Sequence, residues 1–393
     1  MKTRKIIVSG VGCCLVDRIY NGISFSSETF SKYLSRQHGD GGLEPGKLEF
    51  EEGFERFCNR RFPEVLQDIT GGRPADTVNI GGPCIVALIN AAQLTQDISE
   101  VRFYGCYGDD EVGSQLLERL HRVPVRLEHY RMEPGAETAS TTVFSDPNHD
   151  EGHGERIFVN TIGASWKYQP DELDDSFYQS DIVVFGATAL MPPVHEVLDR
   201  LLPEAQRQGA LTVVNTVFDS LNEKKHPNGR WPLGNSDESY RHIDVLITDC
   251  EEALRLSGTR SIAEALKFFR EKGTGAAVVT NGSKDVWLYA DSQRFGRLEA
   301  TLPVSAKVTA ELKAGKRGDT TGCGDNFAGG VIASLVEQLH AGKTELDLLE
   351  AARWGVVSGG FTCFYVGGTY YEQAPDEKRR LLMPYYEAYL NQI

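Results

Sequence analysis

The stretch GDTTGCGDNFAGGVIASLVEQLHAG, Gly318 to Gly342, decides how the rest of the chain is read. Its second half places Phe327, Val331, Ile332, Leu335, Val336 and Leu339 at helical spacing, and Gly342 stands where a helix C-terminus takes a left-handed residue. A helix therefore begins around Gly322–Asp325, with Thr320 or Thr321 near its N-cap. The free N–H groups of its first turn form an anion site at the positive end of the dipole, and Gly322 and Gly324 let an anion approach closely. An aspartate held there repels anions unless it has a chemical task. The helix end keeps Asp325 ionised, so it can accept a proton while a phosphoryl group rests on the adjacent amides. The alternative is a capped structural helix with Asp325 as a favourable first-turn charge, which would suffice for a lone aspartate. The density of glycine, threonine and aspartate here favours function.

The chain has 393 residues, 40% hydrophobic and 25% charged, enough for one large α/β domain with insertions or for two domains. A formal net charge of −15 argues against a nucleic-acid binder, because no broad basic surface is available to neutralise phosphates. The eight cysteines are dispersed without a CxxC pair, and the histidines form no HExxH, so reduced thiols in a cytoplasmic protein are expected. MKTRK followed by IIVSGVGCCLV imitates a signal peptide, but Asp17-Arg18 ends the run and no cleavage site follows; a buried first strand fits better. No stretch approaches the roughly 18 apolar residues of a membrane span.

Apolar runs at Ile6–Gly10, Val101–Tyr104, Ile182–Phe185, Leu211–Asn215, Val245–Thr248 and Ala276–Thr280 alternate with helical patterns at Ile85–Leu94, Glu111–Leu120, Val194–Gln208 and Ile262–Glu271. This implies an α/β fold, a mostly parallel sheet with helices on both faces. Residues 18–78 and 125–162 break the rhythm. The second contains alternating patches such as TTVFSD and ERIFVN, suggesting half-exposed antiparallel strands, and both regions are candidates for a small β lid beside one domain spanning 1–393. The turn-rich NEKKHPNGRWPLGNSDES is expected to be a surface loop, disordered or covering a site.

DTTGCGDNF, Asp319 to Phe327, resembles the C-terminal signature of the PfkB (ribokinase-like) carbohydrate and nucleoside kinases, DTxGAGDxF, with Cys323 in place of alanine. The resemblance implies a ribokinase-like fold, Asp325 as catalytic base, and an anion hole formed by the amides of Gly322, Cys323 and Gly324. Other segments follow in the family's order. VSGVGCCLVD resembles the first strand, whose aspartate, here Asp17, binds substrate hydroxyls, and NIGGPCIVALINAAQL resembles the Gly-Gly motif, placing Gly81 and Gly82 near the sugar. GER ending at Arg156 matches a lid element, and VVTNGSKDVWL resembles the strand and turn lining the nucleotide, implying Thr280 and Gly282. GGFTCFYVGGT, residues 359–369, lies where such kinases close the adenine pocket. ATP and Mg²⁺ are the implied cofactors, with a monovalent cation as a further candidate. The partners are a sugar or polyol and ATP, with neither nucleic acid nor membrane.

Some positions depart from the pattern. Val86 stands where the family has a sugar-binding asparagine, which puts the identity of the sugar in doubt. The NxxE motif is DCEE: Asp249 and Glu252 at i,i+3 could hold Mg²⁺ through water, or could be a helix N-cap and its capping acid. The long segment between Asp17 and Gly81 is a lid extension or a homodimer contact through the lid. Cys323, at a helix N-terminus, is expected to have a lowered pKa and raised reactivity, or else to be a small packing residue. GKT at Gly342 lacks the earlier P-loop glycine, since Glu337 occupies it, and GVGCCL lacks the third dinucleotide-fold glycine at Leu15. The resulting expectation is ATP-dependent phosphorylation of a sugar hydroxyl. The aromatic residues Tyr20, Phe25 and Phe30 leave a nucleoside kinase open, and Val86 with Asp249 leaves open a non-catalytic sugar-binding relative.

Overall fold

The continuous apolar runs become the inner strands of a nine-stranded sheet. The structure, a computed structural model, describes residues 4–37, 39–152 and 154–393. In chain order the strands are β1 (Ile6–Val11), β2 (Leu15–Asn21), β3 (Leu48–Phe50), β4 (Thr77–Gly81), β5 (Ser99–Gly108), β6 (Arg126–Glu133), β7 (Ser140–Asp146), β8 (Glu155–Thr161), β9 (Ile182–Gly186), β10 (Leu211–Asn215), β11 (Val245–Asp249), β12 (Ala276–Thr280), β13 (Val286–Ala290) and β14 (Leu298–Leu302). The large sheet runs β14-β13-β12-β11-β10-β9-β1-β5-β6, parallel from β12 to β6, with β13 and β14 added antiparallel at one edge. The chain is an α/β protein with helices on both faces of a mostly parallel sheet, as expected. Alternation along each buried strand feeds two cores. Ile182 and Val184 face the cluster under helices Pro83–Leu94, Cys323–His340 and Leu348–Thr362, whereas Val183 and Phe185 face the helices of the other side.

A second sheet has the order β3-β8-β7-β2-β4. It corrects one expectation: of the strands in 125–162, β7 and β8 pair antiparallel in this small sheet, but β6 pairs parallel with β5 in the large one. Residues 21–76 build their own apolar cluster on one face of the small sheet. There Phe25, Phe30, Phe54, Phe62 and Val65 pack on Phe144, Ile157 and Val159. The insertion reaches the large domain through Lys224 Nζ and Glu49 Oε1, 2.5 Å apart.

Two other local expectations change. The helix anticipated over Val194–Gln208 divides into Pro192–His195 and Leu198–Arg207, because Val197 (ψ 21°) leaves helical geometry between them. The turn-rich 222–239 segment is packed rather than loose: Trp231 is buried, its N–H donates to Arg255 O, and its ring meets Phe218 edge-on. Among the described residues no helix is long and apolar enough to cross a membrane.

Because the insertion core is separate from the two main cores, damage to it should stay local. Phe54→Ala, which truncates a fully buried ring, should destabilise this unit by about 3–5 kcal/mol. Hydrogen exchange should accelerate across residues 21–76 while strands β9–β12 keep their protection.

Candidate functional site

The parallel strands all end on one edge of the large sheet, and the signature helix starts there. That helix spans Cys323–His340, with Gly322 as its N-cap at φ +75°. A Cβ on Gly322 would lie 2.4 Å from Gly368 Cα, so both the backbone conformation and the close approach require glycine. The threonines expected at the cap are used elsewhere: Arg156 Nη1 donates to Thr321 Oγ1 and Nη2 to Thr320 Oγ1, each at 2.5 Å. The Cys323 N–H turns back to Thr320 O at 3.3 Å, whereas the amides of Gly322, Gly324 and Asp325 have no acceptor among the described residues. The open donors are therefore not quite the expected set, since Asp325 contributes the amide that Cys323 does not. A Cβ on Gly324 would meet nothing within 4 Å, so that side of the turn is open.

The preceding strand of loop is held from beneath by residues 363–368. Gly318 N–H donates to Cys363 O and Asp319 N–H to Tyr365 O, while Asp319 Oδ1 accepts from the N–H groups of Thr321 and Gly367. Asn326 completes the clamp, its Nδ2 donating to Gly322 O (2.9 Å) and Gly368 O (2.8 Å). Its Oδ1 accepts from the buried ammonium of Lys378 at 2.8 Å. Burial lowers Lys378 to about 7, with Glu372 opposing. Asn326 and Lys378 carry no sequence signal of this role, since Lys378 lies 52 positions further along the chain. Residues 363–368 thus form the bed under the turn, and none of them lines the cleft that holds Thr280 and Gly282.

Asp17 approaches from the small sheet. It lies on β2 with its carboxylate filling the space beside Gly81, where a Cβ would meet Oδ2 at 2.3 Å. Gly82 (φ +104°) opens helix Pro83–Leu94, with Cys13 O pressed against its α-carbon. Burial and the neighbouring Asp325 carboxylate raise Asp17 to about 7, with Asp319 adding and Thr141 and Arg156 opposing. Burial alone raises Asp325 to about 7, which outweighs the helix end expected to keep it ionised. Two buried acidic groups of near-neutral pKa are therefore close enough for one to raise the other, Asp325 in the turn with the unsatisfied amides and Asp17 within the influence of one guanidinium. Asn215, at the tip of β10, is also buried with Oδ1 unpartnered. The sequence offered only its place at a strand end.

The remaining candidates lie along the same edge. Thr280 and Asp249 are paired across the ends of β12 and β11, and with Gly282, Asn281, Cys250 and Glu251 they line an open cleft of about 560 Å³. Asp249 and Glu252 form a capping box. Asp249 Oδ1 accepts from the Glu252 N–H at 2.8 Å, and Glu252 Oε2 accepts from Asp249 N–H and from the Thr248 hydroxyl. Burial, then Asp249, raises Glu252 to about 8. Among the described residues no group of three or more His, Cys, Asp or Glu could hold a metal ion.

Cys323 departs from expectation. Its Sγ lies 3.5 Å from Cys363 Sγ, and that shared hydrogen bond followed by burial pushes the Cys323 thiol up rather than down. Val86, in place of an asparagine, packs its methyl groups toward Gly368 and is buried.

A model of the pfkB family of carbohydrate kinases matches residues 73–374. The chain belongs to that family. The match begins after the 21–72 part of the insertion. A 2-dehydro-3-deoxygluconokinase from Thermoproteus tenax is 26% identical over 257 residues, 62% of this chain and 70% of the relative. A fructokinase from Solanum tuberosum is 24% identical over 284 residues, 72% of this chain and 79% of the relative. Among solved structures, an adenosine kinase from Sinorhizobium meliloti superimposes with a TM-score of 0.68 at 18% identity, covering 96% of this chain and 99% of the other. A probable sugar kinase from Rhizobium etli gives 0.68 at 17% identity, covering 97% and 99%. The last two likenesses concern the fold.

Since the open donors here are backbone amides, the thiol at 323 is dispensable for them. Cys323→Ala should leave kcat within about twofold, and iodoacetamide should label this position more slowly than an exposed thiol. Peptide mapping of the alkylated protein reads the second outcome.

Proposed function

We propose that the protein transfers a phosphoryl group from ATP to a hydroxyl of a neutral sugar or polyol. The observation that carries the reading is the meeting of Asp325 and Asp17 with three unpaired amides and Arg156 at one helix start. Unpaired donors at the positive end of a helix suit the phosphates of a nucleotide, and the cleft beside Thr280 and Gly282 has room for the rest of it. ATP, when bound, supplies the phosphoryl group and its own magnesium. Asp249 and Glu252 are already used by the helix cap, so they would reach a magnesium ion only through water.

In this reading Asp17 accepts hydrogen bonds from acceptor hydroxyls and orients one of them toward Asp325. Asp325 takes the proton as the oxygen attacks, and the amides of Gly322, Gly324 and Asp325 stabilise the charge on the moving phosphoryl. Arg156 ties the small sheet to the anion turn, so the sheet acts as a lid that excludes water when both ligands are present.

The sugar reading is preferred because the three aromatic residues that left a nucleoside acceptor open are turned away from Asp17. Phe25 and Phe30 stack at 4.9 Å inside the insertion core and Tyr20 packs on Phe144, so none of the three lines the acceptor face. A non-catalytic relative would have no use for an aspartate beside open amides.

Asp325→Asn should lower kcat by about 10²–10⁴-fold while ATP binding, read by calorimetry, persists. An unchanged kcat would remove Asp325 from the mechanism. In the wild type, kcat/KM should rise with pH and level off above about 7, because the base form of Asp325 is populated only above its raised pKa. Stability should run the other way. The folded carboxylates hold protons up to about 7 while unfolded ones release them near 3.8, so the ligand-free protein should lose stability as pH climbs between those values. Thermal melts from pH 5 to 8 check the sign.

A further inference from the structure

The small sheet presents a polar row across its strands. Register pairs Asn79 on β4 with Asp17 on β2, Asp17 with Thr141 on β7, Thr141 with Asn160 on β8, and Asn160 with Phe50 on β3. Paired residues of adjacent strands share a face, so these five side chains stand in line on the side that carries Asp17. Asn79, Asp17, Thr141 and Asn160 are all buried polar residues. Three of them are accounted for. Asn79 Nδ2 donates to Val366 O and Thr369 O while its Oδ1 accepts from Ile80 N–H, and Thr141 donates to Asp17. Asn160 is not: it is 7% exposed, its Oδ1 is enclosed without a partner, and its amide makes no hydrogen bond among the described residues. An enclosed carbonyl oxygen with no partner costs roughly 1–3 kcal/mol, which a bound hydroxyl donor would offset.

We infer that Asn160 is a specificity-determining residue that binds an acceptor hydroxyl remote from the one being phosphorylated. The inference rests on the proposed function. Asp17 and Asn160 are two strands apart, about 9–10 Å along the row, so one acceptor can touch both while presenting its reacting hydroxyl at the Asp17 end. Phe50 closes the row beyond Asn160, its ring edge-on to Trp166 at 6.0 Å. The charge around this far end is acidic or already paired. Glu51 accepts from Thr161 next in the chain, and Glu49 holds Lys224, while the Arg156 guanidinium is committed at the opposite end to Thr320 and Thr321. Lys224 and Arg156 are thus already bonded, so the row suits a neutral polyol better than a sugar acid.

The test compares wild type, Asn160→Leu and Asn160→Asp, with D-fructose, D-ribose and 2-dehydro-3-deoxygluconate as acceptors and ATP binding measured separately. In the wild type kcat/KM should favour a neutral sugar over the acid. Asn160→Leu should raise the KM of that sugar about tenfold with little change in kcat, and without lowering the melting temperature of the ligand-free protein, since an unpaired polar group has been removed. A merely structural amide would instead lower the melting temperature and leave KM alone. Asn160→Asp should keep the neutral sugar, because a carboxylate still accepts from a hydroxyl, and reject the acid further. A KM within twofold of wild type in Asn160→Leu, or a wild type that prefers the sugar acid, overturns the inference and leaves the kinase reading intact. A wild type that binds ATP yet phosphorylates none of the three defeats the carbohydrate-acceptor reading, and this inference with it.

Discussion

Three amide groups at the start of helix Cys323–His340 have no acceptor among the described residues, and much of the surrounding structure serves that arrangement. Helix ends always leave donors behind, but they are usually capped by a side chain. Here the natural caps, Thr320 and Thr321, are drawn to Arg156, and Gly322 offers no side chain at all. The carboxylate in the same turn is desolvated enough to sit near 7. The ligand-free site is therefore costly in two opposite ways, with unpaired donors next to an acid that resists ionising. In the proposed function, a bound phosphoryl group and a hydroxyl proton would relieve both together.

Holding backbone donors in place demands a rigid bed, and the chain supplies it from far away in sequence. Gly368 lies so close to Gly322 that position 322 has no room for a side chain, and Asn326 ties both carbonyls together. Lys378, from the C-terminal helix, braces Asn326 with an ammonium whose burial brings its pKa near neutrality. Alanine at position 323 would leave this scaffold intact, which is why the thiol matters less than its position suggests.

The two faces of the small sheet divide its labour. One face is aromatic and welded to the insertion through Phe25, Phe30, Phe54 and Phe144. The other carries Asp17 and its polar neighbours toward the large domain. Apolar packing and the polar row are thus carried by alternate residues of the same strands, such as Phe144 against Thr141 on β7. The Arg156 contacts link this sheet to the glycine turn at the start of helix Cys323–His340.

The parallel sheet was legible in the chain because strands buried on both faces read as unbroken apolar runs; Leu211–Asn215 and Ala276–Thr280 were placed to the residue. The signature turn was legible because glycine and aspartate density at a helix start has few structural uses. Other features could not be read this way. β6 joins the large sheet although its alternating polarity suits an edge in either sheet, since strand partnership depends on the whole topology and not on local pattern. Tyr20, Phe25 and Phe30 looked equally suited to a pocket or a core, and only the fold put them in a core. Asp325 carries the same letter whether ionised or not, and burial set its pKa against the pull of the helix end. The clamp of Asn326 and Lys378 and the polar row ending at Asn160 join residues from distant elements, so no spacing announces them. Sequence by itself determined the repeating local order and the bare-backbone turn, because periodicity and glycine act over a few residues. Tertiary structure decided which side chains share a face, which polar groups go unpaired and where charge is expensive, because those depend on what the rest of the chain brings alongside.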